Sequence, residues 1–181
     1  MRSLTFIAIV WYGLFSGNLC SAQTFVGYEH MLRDGSPSPT VMSQLEIPGE
    51  TVNTYGFFLA SDAWGEALLG VSKSIQPWLW AAVSAGIETD PSRQVPLRAN
   101  VTIGTFTGPL TTFFISEYGG ADYFYRFTSA ARVAPRTSVG ILSQRFLGTG
   151  PLVQVSLGQG LTVFATLMKG PQSLVGIYKF F

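Results

Sequence analysis

The chain has 181 residues and a formal net charge of +1, and charged residues make up only 12% of it, about half of the ~25% that is usual for soluble domains. A hydrophobic content of 47% excludes a disordered chain, and the near-zero net charge provides no basic field for nucleic acid. A soluble domain with so few charges would tend to self-associate, whereas a protein whose surface faces lipid would not.

Residues 1–22 are predicted to be a secretory signal peptide. Arg2 provides the positive start, residues 4–15 form an apolar run too short to span a membrane, and Cys20-Ser21-Ala22 places small residues at a cleavage site. Export would leave residues 23–181 as a single mature domain. Because Cys20 is the only cysteine, cleavage after Ala22 would leave no disulfide framework, thiolate metal site or cysteine nucleophile.

Short segments of alternating polarity, separated by turn residues, follow one another along the mature chain. In residues 98–104, for example, Ala99, Val101 and Ile103 lie on one face and polar side chains on the other, which is the period of a β-strand. Repeated strand-sized runs with one apolar face are typical of membrane β-barrels. We predict twelve strands, near residues 24–32, 40–47, 52–61, 66–75, 78–88, 97–104, 110–118, 123–133, 138–146, 152–157, 161–168 and 174–181.

The even number of strands suits a closed barrel made from one chain. Ten strands would result if two weak early segments form one bent strand, and eight is the lower alternative. The number matters because about twelve strands leave room for a lumen, whereas the interior of an eight-stranded barrel is filled by side chains.

The distribution of loops and charges indicates how such a barrel would lie in a membrane. If the mature N-terminus starts on the inner side, the tight turn 76–77 falls inside and the long polar loop 89–96 falls outside, which is the asymmetry of membrane barrels. Most charges then form two bands near the strand ends. A Lys or Arg on the lipid face at mid-height costs about 2–4 kcal/mol, so the uncharged waist favours a membrane barrel over a soluble one.

The chain resembles small Gram-negative outer-membrane β-barrel proteins. The resemblance covers residues 24–181 and depends on the signal peptide, the alternating strands, Gln76-Pro77-Trp78 after a strand, and the terminal Tyr178-Lys179-Phe180-Phe181. It implies that outer-membrane lipid and the machinery that inserts barrels are partners, and that Tyr178, Phe180 and Phe181 form the C-terminal insertion signal. Leu174, Tyr178 and Phe180 fit one face of the last strand, and Phe181 would then lie beyond the pattern. Whether Phe180 or Phe181 belongs to the pattern decides whether Lys179 faces the lumen or the lipid boundary, and the sequence leaves both open.

Charged side chains on the polar faces of the strands are expected to line the lumen. This set consists of Arg98, Arg126, Arg132, Arg145, Glu66 and Glu88. Charges removed from water must be paired, so the plainer interpretation is an interior network of salt bridges and hydrogen bonds. The alternative is a constriction that selects anionic solutes, because charged rings set the selectivity of pores.

Aromatic side chains near the strand ends are predicted to be anchors at the membrane interfaces rather than a platform for a ligand. They are Trp64, Trp78, Trp80, Tyr118, Tyr123, Tyr125, Tyr178 and Phe180.

The sequence contains little that could carry a reaction. The only histidine, His30, is adjacent to Glu29, so on a strand the two side chains point to opposite faces. A serine from another strand, such as Ser43 or Ser61, would have to approach His30 to make a hydrolase-like pair. With one histidine, no mature cysteine and scattered acids, we predict no catalytic residue, no metal site and no cofactor.

Taken together, these features predict an all-β, closed, antiparallel up-and-down barrel in the outer membrane. The first predicted function is non-enzymatic, either a structural component or a narrow pore with a polar lumen that passes a small solute. A lipid-modifying barrel enzyme is one alternative. A soluble secreted barrel that binds a small apolar ligand in its interior is the other.

Overall fold

The computed structural model of the protein describes residues 23–33, 36–62, 64–89, 96–119, 122–170 and 172–181, and the predicted signal peptide lies outside these described residues. Among the described residues, no helix is long and apolar enough to cross a membrane. The twelve strands are β1 (Gln23–Arg33), β2 (Ser36–Ile47), β3 (Asn53–Ser61), β4 (Gly65–Gln76), β5 (Leu79–Glu88), β6 (Leu97–Thr107), β7 (Leu110–Gly119), β8 (Asp122–Ala134), β9 (Thr137–Gln144), β10 (Gly148–Gly158), β11 (Leu161–Leu167) and β12 (Ser173–Phe180).

The strands form one closed antiparallel barrel. Each strand pairs with its neighbours in the sequence, and β12 returns to pair with β1. The closing register runs from Phe25 opposite Phe180 to Leu32 opposite Ser173. The predicted all-β, closed, twelve-stranded, up-and-down barrel is therefore confirmed.

The largest differences from the predicted boundaries at the start of a strand are in β2 and β10, each of which starts four residues earlier than predicted, at Ser36 and Gly148. For β2, the sequence predicts a start near residue 40, whereas the strand starts at Ser36 and includes Pro37 and Pro39. Pairing with β1 covers both prolines, but pairing with β3 begins only at Thr40. A strand end that is unpaired on one side tolerates proline, because no N–H is needed there for a ladder.

The two ends of the barrel differ in their connections. We call the end that holds Gln23 and Phe180 the terminal rim and the opposite end the far rim. Four of the five connections at the terminal rim are two-residue turns, and the exception is 48–52. The far rim carries longer connections, including 89–96 and 168–172. This asymmetry has the direction that is usual in outer-membrane barrels.

The outward surface of the barrel is apolar at mid-height. Among the described strands, the lysines and arginines at outward positions are Lys73 and Lys179, and both are near the terminal rim. The exposed apolar side chains of this surface include Leu69, Val71, Val83, Ile87, Val101, Phe114, Val139, Ile141, Val153, Val175 and Ile177. A surface of this kind suits contact with lipid chains rather than with water.

The inward-facing side chains differ between two halves of the barrel. The half built by β8 to β12, called the apolar half, contains a buried cluster of Ala130, Leu142, Leu147, Leu152, Phe164, Met168 and Leu174. The half built by β2 to β7, called the polar half, contains the buried polar residues Glu46, Glu66, Ser72, Ser84, Glu88, Arg98, Asn100, Thr102 and Glu117. The polar half also contains the buried Met42, Tyr55, Leu68 and Ala82, and the apolar half the buried Gln144 and Thr166. The two halves therefore differ in which kind of inward side chain predominates.

Candidate functional site

An ion pair crosses the lumen between Glu29 on β1 and Arg126 on β8. The Nη1 atom of Arg126 lies 2.8 Å from one carboxylate oxygen of Glu29 and 3.0 Å from the other. Around the barrel, β1 and β8 are separated by four strands in one direction and by six in the other. The contact therefore joins nearly opposite walls, and we call it the cross-lumen bridge.

Aromatic side chains support the cross-lumen bridge. The hydroxyl of Tyr178 donates a hydrogen bond to Glu29, and Arg126 Nη2 donates one of 3.3 Å to the same hydroxyl. The ring of Tyr178 stacks on Phe164 with a centroid distance of 5.2 Å, and the guanidinium of Arg126 lies 5.9 Å from the centre of the Phe164 ring. The bridge is thus held from β11 and β12 as well as from β1 and β8.

Two glycines make room for these rings. A Cβ atom on Gly27 would lie 2.4 Å from the ring of Tyr178, and one on Gly176 would lie 2.3 Å from the ring of Phe164. Real Cβ atoms do not approach other atoms so closely. The glycines of β1 and β12 therefore allow the aromatic side chains to lie flat against the wall and reach the bridge.

A second ionic cluster lies on the wall of the polar half, towards the far rim. Arg98 on β6 contacts three carboxylates: Nε lies 3.0 Å from Glu66, Nη2 lies 3.3 Å from Glu117, and Nη1 contacts Glu88. All four side chains are buried. The amide of Asn100 adds a hydrogen bond of 3.1 Å to Glu117. The cluster ties the neighbouring strands β4 to β7 together.

Arg98→Ala is expected to destabilise the barrel by about 3–5 kcal/mol, because removing one partner of a buried ion pair leaves uncompensated charge. Here three buried carboxylates would be left facing one another. Urea unfolding in detergent micelles measures the change. The control is Arg145→Ala, which removes an arginine whose carboxylate partner, Asp122, is 43% exposed; exposed pairs contribute about 1 kcal/mol or less. Equal losses in the two variants would contradict this account of the Arg98 cluster.

A third polar cluster surrounds Glu46 near the terminal rim. The Oε1 atom of Glu46 accepts hydrogen bonds from Asn53 at 2.8 Å and from the indole of Trp80 at 3.1 Å. The hydroxyl of Ser72 donates to the same oxygen. The ring of Trp80 in turn packs against Tyr55. All of these donors are neutral, so Glu46 is a buried carboxylate with uncharged partners.

The six charged residues predicted to line the lumen occupy different places. Arg98, Glu66 and Glu88 meet on the wall of the polar half, and Arg126 takes part in the cross-lumen bridge. Arg132 lies at an inward position of β8 but is exposed at the terminal rim. Arg145 follows β9 at the far rim, where it pairs with Asp122 at 2.7 Å and covers the ring of Tyr123.

The terminal strand has Leu174 and Tyr178 on its inward face. Tyr178 therefore contributes to the lumen and not to a membrane interface, because it alternates in register with the buried Leu174. Lys179 faces outward, and its ammonium donates to the backbone oxygen of Gln159. Phe180 is half exposed at the strand end, and Phe181 lies beyond it.

Among the other aromatic residues, Trp80 departs from its predicted place, whereas Tyr118 and Tyr123 lie near a rim as predicted. Trp80 was expected at an interface, but it lies inside because even-numbered residues of β5 point inward. Tyr118 and Tyr123 are exposed on the outward face near the far rim. His30 lies on the outward face of β1, where Nδ1 is 3.3 Å from the hydroxyl of Tyr28. Among the residues that the structure describes, no group of three or more His, Cys, Asp or Glu is arranged to hold a metal ion.

The sequence interpretation missed Glu29 and Glu46 as lumen residues. A signal was present for both: Glu29 alternates with the outward Tyr28 and His30, and Glu46 follows Met42 and Gln44 at intervals of two. Which carboxylate would meet which arginine had no sequence signal, because 97 residues separate Glu29 from Arg126.

The arrangement defines a class of fold: a small, closed, antiparallel barrel with an apolar exterior and a partly polar interior. No protein-family model matches the chain, and no curated protein matches its sequence. Solved structures do match. The KdgM porin superposes with a TM-score of 0.64 at 9% identity, and the match covers 87% of this chain and 99% of that one.

A second structure, the KdgM porin in complex with disordered oligogalacturonate, gives a TM-score of 0.64 at 10% identity, with 87% of this chain and 99% of that one covered. At such low identity the likeness establishes the fold. The resemblance to small outer-membrane β-barrel proteins is confirmed at that level.

Proposed function

We propose that this protein is a narrow, non-enzymatic channel of the outer membrane whose lumen is closed at rest by the cross-lumen bridge. The observation that carries the proposal is the ion pair between Glu29 and Arg126, because it joins nearly opposite walls. A bridge that only stiffened the wall would join neighbouring strands, as the Arg98 cluster does. A bridge across the lumen determines how much of the cross-section is free.

The filling of the lumen supports a closed resting state. Inward side chains are packed in both halves: Leu142, Leu152 and Leu174 of the apolar half are each 1% exposed, and Leu68 and Ser72 of the polar half are 0% and 2% exposed. The path proposed for a small solute follows the polar half, where hydroxyl, amide and carboxylate groups can replace its water. Removing the bridge would connect the two halves and widen that path.

The proposed location is supported by the apolar outward surface and by the fold shared with a porin. Export by a cleaved signal peptide is part of the proposal. So are contact with outer-membrane lipid and insertion by the barrel machinery through Tyr178 and Phe180 of the terminal strand and the adjacent Phe181. A small solute is the proposed cargo.

Two measurements on the full chain test the proposal. Cell fractionation is expected to recover the protein with the outer membrane, in a form whose gel mobility changes on heating. In planar bilayers, the purified protein is expected to show low conductance with brief openings. Recovery in the soluble periplasm without detergent would contradict the location. No ion flux from either the wild type or the bridge-free variant Glu29→Ala/Arg126→Ala would contradict the channel.

A further inference from the structure

We propose that the polar half of the lumen is a path for small cations and that Glu46 is its selectivity-determining residue near the terminal rim. This inference rests on the proposed channel function and adds the class of solute. It is carried by the balance of charge inside the barrel, by the neutral partners of Glu46 and by the surroundings of Arg98.

Carboxylates outnumber guanidinium groups in the polar half. The strands β2 to β7 point four carboxylates and one guanidinium inward, which gives a formal charge of −3 when all are ionised. Glu29 and Arg126 compensate each other across the lumen. Fixed charges of one sign along a pore attract the opposite ions and exclude like ions. The charged residues of this count are Glu46, Glu66, Glu88, Glu117 and Arg98.

Glu46 contributes a negative charge that no cation compensates. Within the described residues its hydrogen-bond donors are Asn53, Ser72 and Trp80, and no lysine or arginine is in ion-pair contact with it. The side chain is 4% exposed and lies at the penultimate residue of β2, next to the terminal rim. An ion that passes this rim along the polar half therefore passes close to a carboxylate that has no ion-pair partner among the described residues.

Arg98 does not give the path a positive field. Its guanidinium is in contact with the carboxylates of Glu66, Glu88 and Glu117, so its positive charge is compensated within the cluster. Within the described residues, Oε1 of Glu66 accepts no hydrogen bond although the side chain is fully buried. A buried carboxylate oxygen without a donor is a favourable contact for a cation or its water.

The expectation from the arginines alone was a constriction that selects anions. The carboxylates that surround or face those arginines reverse this expectation and favour cations. Arg126 is matched by Glu29 and Arg98 by three glutamates, while Arg132 and Arg145 lie at the rims. The sign of the charge inside the barrel is therefore set by the carboxylates.

The reversal potential in a KCl gradient tests this inference. The measurement uses Glu29→Ala/Arg126→Ala as the open background, because that double change leaves the formal charge of the lumen unchanged. We expect a permeability ratio of K⁺ to Cl⁻ of about 3 or more, since a unit charge about 5 Å from an ion in water changes its local concentration severalfold. Glu46→Gln keeps an acceptor oxygen for the neighbouring donors and is expected to move the ratio clearly towards 1.

Two further variants make the test specific. Glu117→Gln removes another of the surplus carboxylates from β7 and is expected to lower the ratio as well, so the inference does not depend on one variant. Glu50→Gln is the matched control, because Glu50 lies in the exposed connection 48–52 at the same rim; its ratio is expected to be unchanged. A preference for Cl⁻, or a ratio unaffected by both Glu46→Gln and Glu117→Gln, would overturn the inference while leaving the channel intact. A complete absence of conductance in the open background would instead overturn the channel.

Discussion

Removing the cross-lumen bridge is expected to raise ion conductance about tenfold or more. Close, desolvated charge pairs contribute coupling energies of about 1.5–7 kcal/mol, and a change of 1.4 kcal/mol shifts an equilibrium about tenfold. In Glu29→Ala/Arg126→Ala the pair and most of both side chains are absent, so the closed state loses its main cross-lumen contact and the lumen gains volume. Single-channel recording in planar bilayers measures the effect.

Two controls separate closure by the bridge from general loosening of the barrel. Arg145→Ala also removes an arginine with a carboxylate partner and an aromatic contact, but at the far rim, and it is expected to conduct like the wild type. The charge exchange Glu29→Arg/Arg126→Glu is expected to restore low conductance, because it rebuilds an ion pair between β1 and β8. A double alanine variant with wild-type conductance would show that the bridge does not close the lumen.

Gly86→Ala is expected to prevent stable closure of the barrel. A Cβ atom at this position of β5 would lie 1.9 Å from the backbone oxygen of Ala67 and 2.8 Å from the Cα atom of Leu68 on β4. These are backbone atoms, so relief requires the two strands to separate. The loss should exceed the ~1–3 kcal/mol that is usual for overpacking of side chains, because ladder hydrogen bonds would be broken as well.

Gly56→Ala is the matched control for this prediction. Gly56 also lies within a strand, β3, but a Cβ atom there meets only side-chain atoms, at 3.4 Å or more. The temperature at which the folded band disappears on a gel is expected to fall strongly for Gly86→Ala and to stay near the wild-type value for Gly56→Ala. Equal temperatures for both variants would refute the argument that β4 and β5 are in close backbone contact at Gly86.

The strands could be predicted from the sequence because their signal is local. Alternation with a period of two depends only on which face of a strand meets lipid or lumen, and segments such as 98–104 show it without reference to the rest of the chain. The start of β2 could not be predicted in this way. Whether Pro37 and Pro39 can belong to a strand depends on where β3 ends, which is a property of the neighbouring strand.

The candidate site was predictable only in part, for a related reason. The alternation of side chains along a strand predicts that Arg98 and Arg126 face inward, but it does not predict which residue each of them contacts. Arg98 contacts carboxylates no more than two strands away, whereas Arg126 reaches Glu29 on nearly the opposite wall. Two residues with the same local pattern thus have different roles, and the difference depends on the curvature and filling of the barrel.

The sequence by itself determined the class of barrel and the approximate places of its strands, and it favoured twelve of them, because alternation and turn spacing are local features of the chain. Only the tertiary structure decided that the lumen has an apolar and a polar half and that an ion pair between Glu29 and Arg126 crosses it. It also decided that Tyr178 lies inside the barrel with Lys179 facing out. The physical reason is that these features depend on distances between strands remote in sequence, which closure of the ring alone brings together.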